Sequence, residues 1–261
     1  MKFAIVGLGK MGSSILEGVL AARLLPLEAI GVLDATPELT RQKAAKYGVR
    51  ALGFDDLAGA ERVLIAVKPQ DFPALAPKIA HANTGYLSIM AGVATRALAE
   101  RLGNRRVVRA MPNLAATIKR STTVLTALPE AAEAGDLAFA EALFATVGTV
   151  YPLPERLFDA FTAMSASAPA YLAVVAEALA DGGVQMGIPR AQALRFAAEV
   201  LVATGELLAA KHPAELKDEV ASPGGTTIYG VAAIEEGRVR HALIEAVVAA
   251  TQRGHELGEE E

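Results

Sequence analysis

The sequence predicts an α/β amino-terminal domain built on a doubly wound sheet, followed by an all-α helical domain. Through the first half of the 261-residue chain, short apolar runs alternate with helical patterns, which is the rhythm of strands connected by helices. After Pro154 the strand signals stop, and the chain becomes rich in alanine and leucine at helical spacing. These observations predict a first domain at residues 1–154 and a second at residues 155–261.

The predicted strands of the first domain are short runs rich in β-branched residues. Several of them are apolar throughout, as expected for parallel strands that helices cover on both faces. The runs are Phe3–Val6, Ala29–Leu33, Val63–Val67, Tyr86–Met90, Arg106–Ala110, Thr122–Thr126 and Gly148–Tyr151.

A glycine fingerprint follows the first predicted strand and precedes a predicted helix. Gly7 permits the tight turn, Gly9 lets backbone N–H groups approach a phosphate, and Gly12 lets the helix pack closely on the sheet. Because strand, glycines and helix arrive in the required order, a chance glycine-rich turn is disfavoured. The segment therefore predicts a Rossmann-like dinucleotide-binding domain. Its candidate cofactor contacts are Gly7, Leu8, Gly9, Lys10, Met11 and Gly12.

Asp34 ends the second predicted strand, near the distance at which a carboxylate binds the adenosine ribose, and this favours NADH. The alternative is a turn aspartate before a helix in which Thr36 is the cap and Pro37 the first residue. No arginine follows Asp34 directly to bind a 2′-phosphate, but Arg41 and Lys43 are near. Both NADPH and NADH therefore stay candidate cofactors.

Two more segments end predicted strands at the sheet edge where open α/β folds bind ligands. Val67, Lys68 and Pro69 follow one strand, and Lys68 is a candidate contact to cofactor or substrate; the alternative is a solvated lysine at a strand end. Ala91 and Gly92 follow the next strand at a turn of small residues. A nicotinamide ring can approach the backbone there, although a simple tight turn is the alternative.

A loop of glycines and hydroxyl residues precedes a predicted helix in the second domain. Consecutive N–H groups at a helix N-terminus bind a carboxylate, and threonine hydroxyls add donors. A capped helix start needs one hydroxyl but does not account for two glycines and two threonines. The loop therefore predicts a small-carboxylate site. Its candidate residues are Ser222, Gly224, Gly225, Thr226 and Thr227.

The composition argues against several partners. A net charge of −4 and a sequence pI of about 5.7 provide no basic field for nucleic acid or an anionic membrane. The chain has no cysteine, and its four histidines lack ligand spacing, so no zinc or other metal site is predicted. No signal peptide is recognised, which predicts a cytoplasmic protein. The apolar segment 163–180 contains Pro169 and Glu177, and we expect a buried helix rather than a membrane span.

The second domain is unusually apolar. The segment Ala191 to Ala210 carries only three charged residues, Arg195, Glu199 and Glu206. A helix that is apolar on nearly all sides must be covered on all sides, and about 107 residues cannot readily do so alone. A second subunit is therefore expected to supply the cover, with a self-contained bundle as the alternative.

Together, these segments resemble the pyrroline-5-carboxylate reductases across nearly the whole chain. The carboxyl-terminal loop is the most specific element, because related dehydrogenases share the glycine fingerprint but lack this loop. The similar motifs are GLGKMG at 7–12, AVKPQ at 66–70, MAGV at 90–93, RAMPN at 109–113, ALADGGVQMGIPR at 178–190 and LKDEVASPGGTTI at 216–228.

The resemblance implies reduction of 1-pyrroline-5-carboxylate to L-proline by hydride from NADPH or NADH, the last step of proline biosynthesis. It implies that residues 222–227 bind the substrate carboxylate, with Thr227 near the ring nitrogen as the catalytic residue. It also implies that the VKP and MAGV segments face the nicotinamide and that Asn113 contacts the cofactor. The helical domains would interlock into homodimers, which in many members of the family build a decameric ring.

One departure from the family concerns the segment after residue 164. The family commonly has Ser-Gly-Ser-Gly-Pro-Ala-Tyr, whereas this chain reads Ser165-Ala166-Ser167-Ala168-Pro169-Ala170-Tyr171. The methyl groups of Ala166 and Ala168, which the family's glycines lack, would narrow the substrate site or shift the helix packing. Of this segment, therefore, only Ser167 is expected to contact the substrate as in the family. Asp34 also differs from members that have small or basic residues at that position.

Two other functions compete with this one. A different Rossmann reductase, such as an imine or β-hydroxyacid dehydrogenase, would supply a helical lysine as proton donor, but Lys211 and Lys217 lie near predicted helix ends. A nicotinamide-binding regulator without turnover would not need a second site for a small carboxylate.

Overall fold

The computed structural model describes residues 1–259, except for the side chains of residues 257 and 259. The chain forms two compact units. The first contains Met1–Ala166 and the residues from Ala250 onward, and the second contains Ser167–Ala249. The units therefore divide after Ala166, later in the chain than the predicted boundary after Pro154.

An eight-stranded sheet organises the first unit. Its strands are β1 (Phe3–Val6), β2 (Ile30–Leu33), β3 (Arg50–Ala51), β4 (Arg62–Ile65), β5 (Gly85–Ser88), β6 (Val107–Met111), β7 (Ser121–Ala127) and β8 (Gly148–Pro152). The order in space is β3-β2-β1-β4-β5-β6-β7-β8, and only the β6–β7 pair is antiparallel. The strand order reverses between β1 and β4, and such a switch point is where open α/β sheets bind ligands.

The helices of the first unit connect strands of this sheet, except that the last of them follows β8. They are α1 (Lys10–Ala22), α2 (Pro37–Tyr47), α3 (Phe72–Ile79), α4 (Thr95–Leu102), α5 (Pro129–Glu133), α6 (Asp136–Ala145) and α7 (Phe158–Phe161). The start of α2 is as the sequence predicts: Thr36 Oγ1 accepts a hydrogen bond of 3.2 Å from the Leu39 N–H, and Pro37 is the first helical residue.

The core of the first unit lies on both faces of the sheet. In β1, Phe3 and Ile5 pack into one hydrophobic cluster, whereas Ala4 and Val6 pack into another. All four side chains are buried. Successive side chains of a strand point to opposite faces, so a strand buried on both faces must be apolar throughout, as the sequence indicates.

A buried carboxylate holds the amino end of the sheet together. Asp136, the first residue of α6, is fully buried. Its oxygens accept hydrogen bonds from Arg62 Nε at 2.8 Å and from Arg106 Nε and Nη2, both at 2.9 Å. Arg62 lies on β4 and Arg106 directly precedes β6, so one carboxylate connects two strands to a covering helix.

The second unit is helical. Its helices are α8 (Ala168–Gln185), α9 (Arg190–Leu208), α10 (Pro213–Val220), α11 (Thr226–Glu236) and α12 (Val239–Glu259), of which α12 continues into the first unit. Small side chains let α8 and α9 pack closely, with Ala180, Ala193 and Ala197 buried between them. The fold class predicted from the sequence, an α/β sheet domain followed by an all-α domain, is therefore observed.

The expected burial of the helix near residues 163–180 is wrong for a single chain. Only Ala180 of α8 is buried, and Leu172 and Val174 are exposed. By length and composition, the helical stretch Glu155–Gln185 is apolar enough to cross a membrane. The sequence pattern requires a cover for this helix, but one chain does not supply it.

Candidate active site

Three parallel strands bring the predicted cofactor segments to one edge of the sheet. Val6 of β1 is in register with Ile65 of β4, and Ile65 is in register with Ser88 of β5. The turn after β1, the segment after β4 and the loop after β5 therefore leave the sheet side by side. All the predicted cofactor residues belong to the first unit.

The glycine turn has the geometry of a phosphate site. Gly7 has a φ of +93°, and a Cβ atom there would lie 2.7 Å from the Ala66 carbonyl oxygen. A Cβ atom at Gly12 would lie 2.1 Å from the Gly7 carbonyl oxygen, whereas a Cβ atom at Gly9 meets no atom within 4 Å. Turn and helix thus pack too closely for side chains at Gly7 and Gly12, whereas Gly9 faces open space, as the predicted phosphate site requires.

The start of α1 adds donors to this turn. Gly9 is the N-cap of α1, and no side chain of the described residues caps the helix, so its first N–H groups stay available for an anion. A cavity of about 560 Å³ adjoins the turn. Six predicted residues line this cavity: Gly7, Leu8, Gly9, Asp34, Val67 and Lys68. Phe54 and Lys78 also line it, and no sequence motif singled them out. Gln70, the last residue of the AVKPQ motif, lines the cavity as well.

Asp34 is bound to the glycine turn. Its Oδ2 accepts hydrogen bonds from the Leu8 N–H at 3.0 Å and from Lys43 Nζ at 2.8 Å, and its Oδ1 accepts one from the Ala35 N–H at 2.7 Å. Lys43 also donates to the Leu8 carbonyl oxygen. The helix α2 is capped by Thr36, so Asp34 does not serve as its cap. The sequence did not indicate that Lys43 joins Asp34 to the turn.

These contacts also set the charge of Asp34. Burial by itself raises the pKa of the carboxyl group, but the hydrogen bonds from Lys43 and from the amides of Ala35 and Leu8 outweigh it, so the pKa lies below the ordinary value of 3.8. Asp34 is therefore ionised at neutral pH and presents a negative charge at the end of β2.

This shift predicts a pH dependence of stability. A carboxyl group whose pKa is lowered by folding contributes stability above its unfolded pKa, and this contribution is lost as the pH falls through the folded pKa. We expect Asp34→Asn to lower the urea midpoint at neutral pH, with a difference from wild type that shrinks below pH 3.8. Urea titrations of both proteins across the acid range measure it. A difference independent of pH would contradict the role of the charge.

The other predicted cofactor residues occupy adjacent positions. Lys10 and Met11 form the first turn of α1, and Pro69 begins a 3₁₀ turn directly after Lys68. Ala91 and Gly92 lie in the loop after β5, where Gly92 has a φ of +78°.

Asn113 caps a 3₁₀ helix that follows β6. Its Oδ1 accepts a hydrogen bond of 3.2 Å from the Ala115 N–H, and its Nδ2 donates one of 3.1 Å to Ser165 Oγ. Both side-chain groups therefore already have protein partners, and a cofactor contact by Asn113 stays a prediction.

The predicted substrate residues belong to the second unit. Gly224 has a φ of +69°, and the Gly225 N–H donates a hydrogen bond of 3.1 Å to the Ser222 carbonyl oxygen. Gly225 is the N-cap of α11, whose first residues are Thr226 and Thr227, and no side chain of the described residues caps it. The helix start predicted after the loop is confirmed. Ser167 directly precedes α8.

Two family models match the chain. The model described as pyrroline-5-carboxylate reductase dimerisation matches residues 155–257, and the model described as NADP oxidoreductase, coenzyme F420-dependent, matches residues 2–92.

Full-length relatives carry the same family name. A pyrroline-5-carboxylate reductase of Thermus thermophilus is 68% identical over 100% of both chains, and one of Synechocystis is 39% identical over 99% of this chain and 98% of its own.

Solved structures agree with these relatives. The 1-pyrroline-5-carboxylate reductase of Streptococcus pyogenes superimposes with a TM-score of 0.85 at 28% identity, covering 98% of each chain. A Plasmodium falciparum pyrroline carboxylate reductase with NADP bound has the same fold, with a TM-score of 0.87 at 23% identity over 99% of this chain and 98% of its own. The chain therefore belongs to the pyrroline-5-carboxylate reductase family.

Proposed function

We propose that this protein is a cytoplasmic enzyme that reduces 1-pyrroline-5-carboxylate to L-proline with NADPH or NADH, the last step of proline biosynthesis. The observation that carries the proposal is the 68% identity, over the full length of both chains, to a pyrroline-5-carboxylate reductase. The open space at Gly9 beside the uncapped start of α1 supports it, because a dinucleotide site needs both features.

Residues of the first unit would hold the cofactor. The turn Gly7–Gly12 and the first N–H groups of α1 would bind the pyrophosphate, and Asp34 would bind the adenosine ribose. The segment Val67–Pro69, the loop at Ala91 and Gly92, and Asn113 would lie toward the nicotinamide end. When bound, the reduced nicotinamide supplies the hydride that the imine carbon of the substrate receives.

Residues of the second unit would hold the substrate. Its carboxylate would accept hydrogen bonds from the N–H groups that begin α11, with Ser222, Gly224, Gly225 and Thr226 forming the loop and Ser167 contributing a hydroxyl. Thr227 would hydrogen-bond the ring nitrogen. A substrate that arrives as a protonated iminium needs no strong acid from the enzyme, so orientation and exclusion of water supply most of the acceleration.

The charge at Asp34 bears on cofactor preference. An ionised carboxylate accepts hydrogen bonds from a ribose 2′-hydroxyl and repels a 2′-phosphate, which favours NADH. Lys43 pairs with this carboxylate at 2.8 Å and offsets part of its charge. Asp34 therefore favours NADH without making the end of β2 strongly anionic, and both cofactors belong in the assay.

We propose that the helical domain, which the sequence predicts at residues 155–261, forms a homodimer. We propose further that these dimers assemble into a decamer. Apolar side chains of α8 and α9 are exposed in the single chain, including Val174 (66%), Phe196 (53%) and Val202 (65%). Such surface requires a partner. As the sequence predicts, we expect this protein to bind neither nucleic acid nor a membrane. Light scattering during size-exclusion chromatography measures the assembly, and flotation with phospholipid vesicles tests whether a membrane covers α8 instead.

A single assay tests the proposed function against its competitors. The purified protein is mixed with NADH or NADPH and 1-pyrroline-5-carboxylate, and cofactor oxidation is followed by absorbance. Turnover that requires this substrate supports the proposal. Turnover only with an open-chain imine or a β-keto acid would indicate a different reductase, and cofactor binding without turnover would indicate a regulator.

Thr227 is the residue whose hydroxyl is expected to matter most for turnover. We expect Thr227→Val to lower kcat/KM about tenfold, the effect of losing one hydrogen bond in the transition state, while the dissociation constant of NADH is unchanged. Steady-state kinetics and fluorescence titration with NADH measure the two quantities. Thr227→Ser keeps the hydroxyl and is expected to retain activity. Unchanged turnover in Thr227→Val would remove Thr227 from the mechanism.

A further inference from the structure

Glu155 binds the start of a helix that is remote from it in sequence. It begins a 3₁₀ turn after β8, and its Oε1 accepts a hydrogen bond of 2.7 Å from the Thr95 N–H. Its Oε2 accepts another, also of 2.7 Å, from Thr95 Oγ1. Thr95 is the first residue of α4, and its N-cap, Ala94, has no side-chain acceptor to offer. Glu155 thus supplies the acceptor and the negative charge that a helix N-terminus favours.

A buried arginine fixes Glu155 from the sheet. Arg109 lies on β6 with 4% of its side chain exposed, and its Nη1 donates a hydrogen bond of 3.1 Å to Glu155 Oε1. The guanidinium carbon lies 4.7 Å from the centre of the Phe158 ring, and Nη2 lies 3.9 Å from Asp159 Oδ1. The arginine thus has carboxylates and an aromatic face around it, and its buried guanidinium pairs with a Glu155 side chain that is 32% exposed.

The segment that Glu155 anchors is the loop between β5 and α4, residues 89–94. This loop leaves the sheet at the same edge as the glycine turn, since β5, β4 and β1 are parallel and in register. Two residues of the loop itself, Met90 and Val93, are buried. A Cβ atom at Gly258 of α12 would lie 3.2 Å from the Gly92 carbonyl oxygen, so α12 packs against the loop. The carboxyl end of the 89–94 loop is fixed by the hydrogen bonds between Glu155 and Thr95.

We propose that Glu155 is a positioning residue, whose two hydrogen bonds to Thr95 hold the 89–94 loop where the nicotinamide must bind. The proposal rests on the proposed function, in which this loop faces the nicotinamide. The adenosine end of the dinucleotide would be held separately, by the glycine turn and Asp34. Loss of the Glu155 contacts should therefore weaken binding of the nicotinamide end and leave the adenosine end unaffected.

Calorimetric titration with two ligands tests this division. NADH reaches both ends of the site, whereas ADP-ribose lacks the nicotinamide. For Glu155→Ala, we expect the dissociation constant of NADH to rise and kcat to fall, each about tenfold, while the dissociation constant of ADP-ribose stays within about twofold of wild type. If both ligands weaken by the same factor, or if neither changes in a folded variant, the proposal is overturned.

Two variants on the same contacts sharpen the test. In Glu155→Gln, the amide oxygen can accept from Thr95 N–H and Arg109, and the amide nitrogen can donate to Thr95 Oγ1, so we expect NADH affinity to recover. A glutamine variant as weak as the alanine variant would overturn the proposal. If Glu155→Ala does not fold, Thr95→Val keeps the Arg109–Glu155 pair and removes one hydrogen bond, with the same selective loss of NADH affinity expected.

A second arginine–glutamate pair provides the matched control. Arg105 and Glu130 pair near the amino end of β6, with 62% and 42% of their side chains exposed. Glu130→Ala is expected to leave the affinities for NADH and ADP-ribose unchanged, and a selective loss of NADH affinity there would overturn the assignment to Glu155. Because the ligand comparison needs no substrate, a protein that binds NADH but does not reduce 1-pyrroline-5-carboxylate would contradict the proposed function alone.

Discussion

Gly9→Ala is expected to raise the dissociation constant of NADH about 100-fold, or about 2.7 kcal/mol, without changing the thermal unfolding temperature. A Cβ atom at Gly9 meets no protein atom within 4 Å, so the fold tolerates the methyl group. The same methyl group occupies the space beside the first N–H groups of α1, and a pyrophosphate that cannot approach them loses several charge-assisted hydrogen bonds. Titration calorimetry and differential scanning calorimetry measure the two quantities.

Gly12→Ala provides the comparison for this variant. A Cβ atom at Gly12 would lie 2.1 Å from the Gly7 carbonyl oxygen, so α1 must move away from the turn. We expect the same loss of NADH binding, together with a decrease of about 1–3 kcal/mol in the free energy of unfolding. Normal NADH binding by Gly9→Ala would show that the turn does not bind the pyrophosphate.

Asp136→Ala is expected to lower the free energy of unfolding by about 3–5 kcal/mol, because removing one partner of a buried ion pair leaves uncompensated charge. Here the charge belongs to two arginines, Arg62 and Arg106, whose hydrogen bonds to Asp136 measure 2.8–2.9 Å. Urea denaturation followed by circular dichroism measures the change.

Glu130→Ala is again the control, since it removes a carboxylate from an ion pair with Arg105 in which both side chains are partly exposed. Its cost is expected to stay below about 1 kcal/mol, as for most exposed pairs. Equal costs for Asp136→Ala and Glu130→Ala would mean that the buried network adds nothing beyond a surface pair.

The elements that the sequence predicted are those with a strong local pattern. Seven apolar runs correspond to β1, β2 and β4–β8, with small shifts at their ends. The missed strand, β3, consists of Arg50 and Ala51, both exposed, so it carries neither an apolar run nor an alternation. The antiparallel direction of β7 was not predicted either, because the pattern of a strand does not reveal the direction of its neighbour.

In the candidate site, too, features encoded by neighbouring residues were predicted, and features that depend on residues distant in the chain were not. The geometry of the glycine turn was predicted because it depends on consecutive residues. The roles of Glu155 and Asp136 were not predicted, because their partners are distant in the chain. Thr95 is 60 residues from Glu155, and Arg62 is 74 residues from Asp136. A lone carboxylate in a sequence does not indicate which cation or helix start it will meet.

The ion pair between Asp34 and Lys43 restricts how cofactor preference can be redesigned. Both side chains also hydrogen-bond the backbone of Leu8: Asp34 accepts from the Leu8 N–H, and Lys43 donates to the Leu8 carbonyl oxygen. Replacing Asp34 alone by a small residue would leave the charge of Lys43 without its carboxylate partner and the Leu8 N–H without its acceptor. An evolutionary or engineered switch toward the phosphorylated dinucleotide would therefore require coordinated changes at positions 34 and 43, since a change at either position alone disturbs the glycine turn.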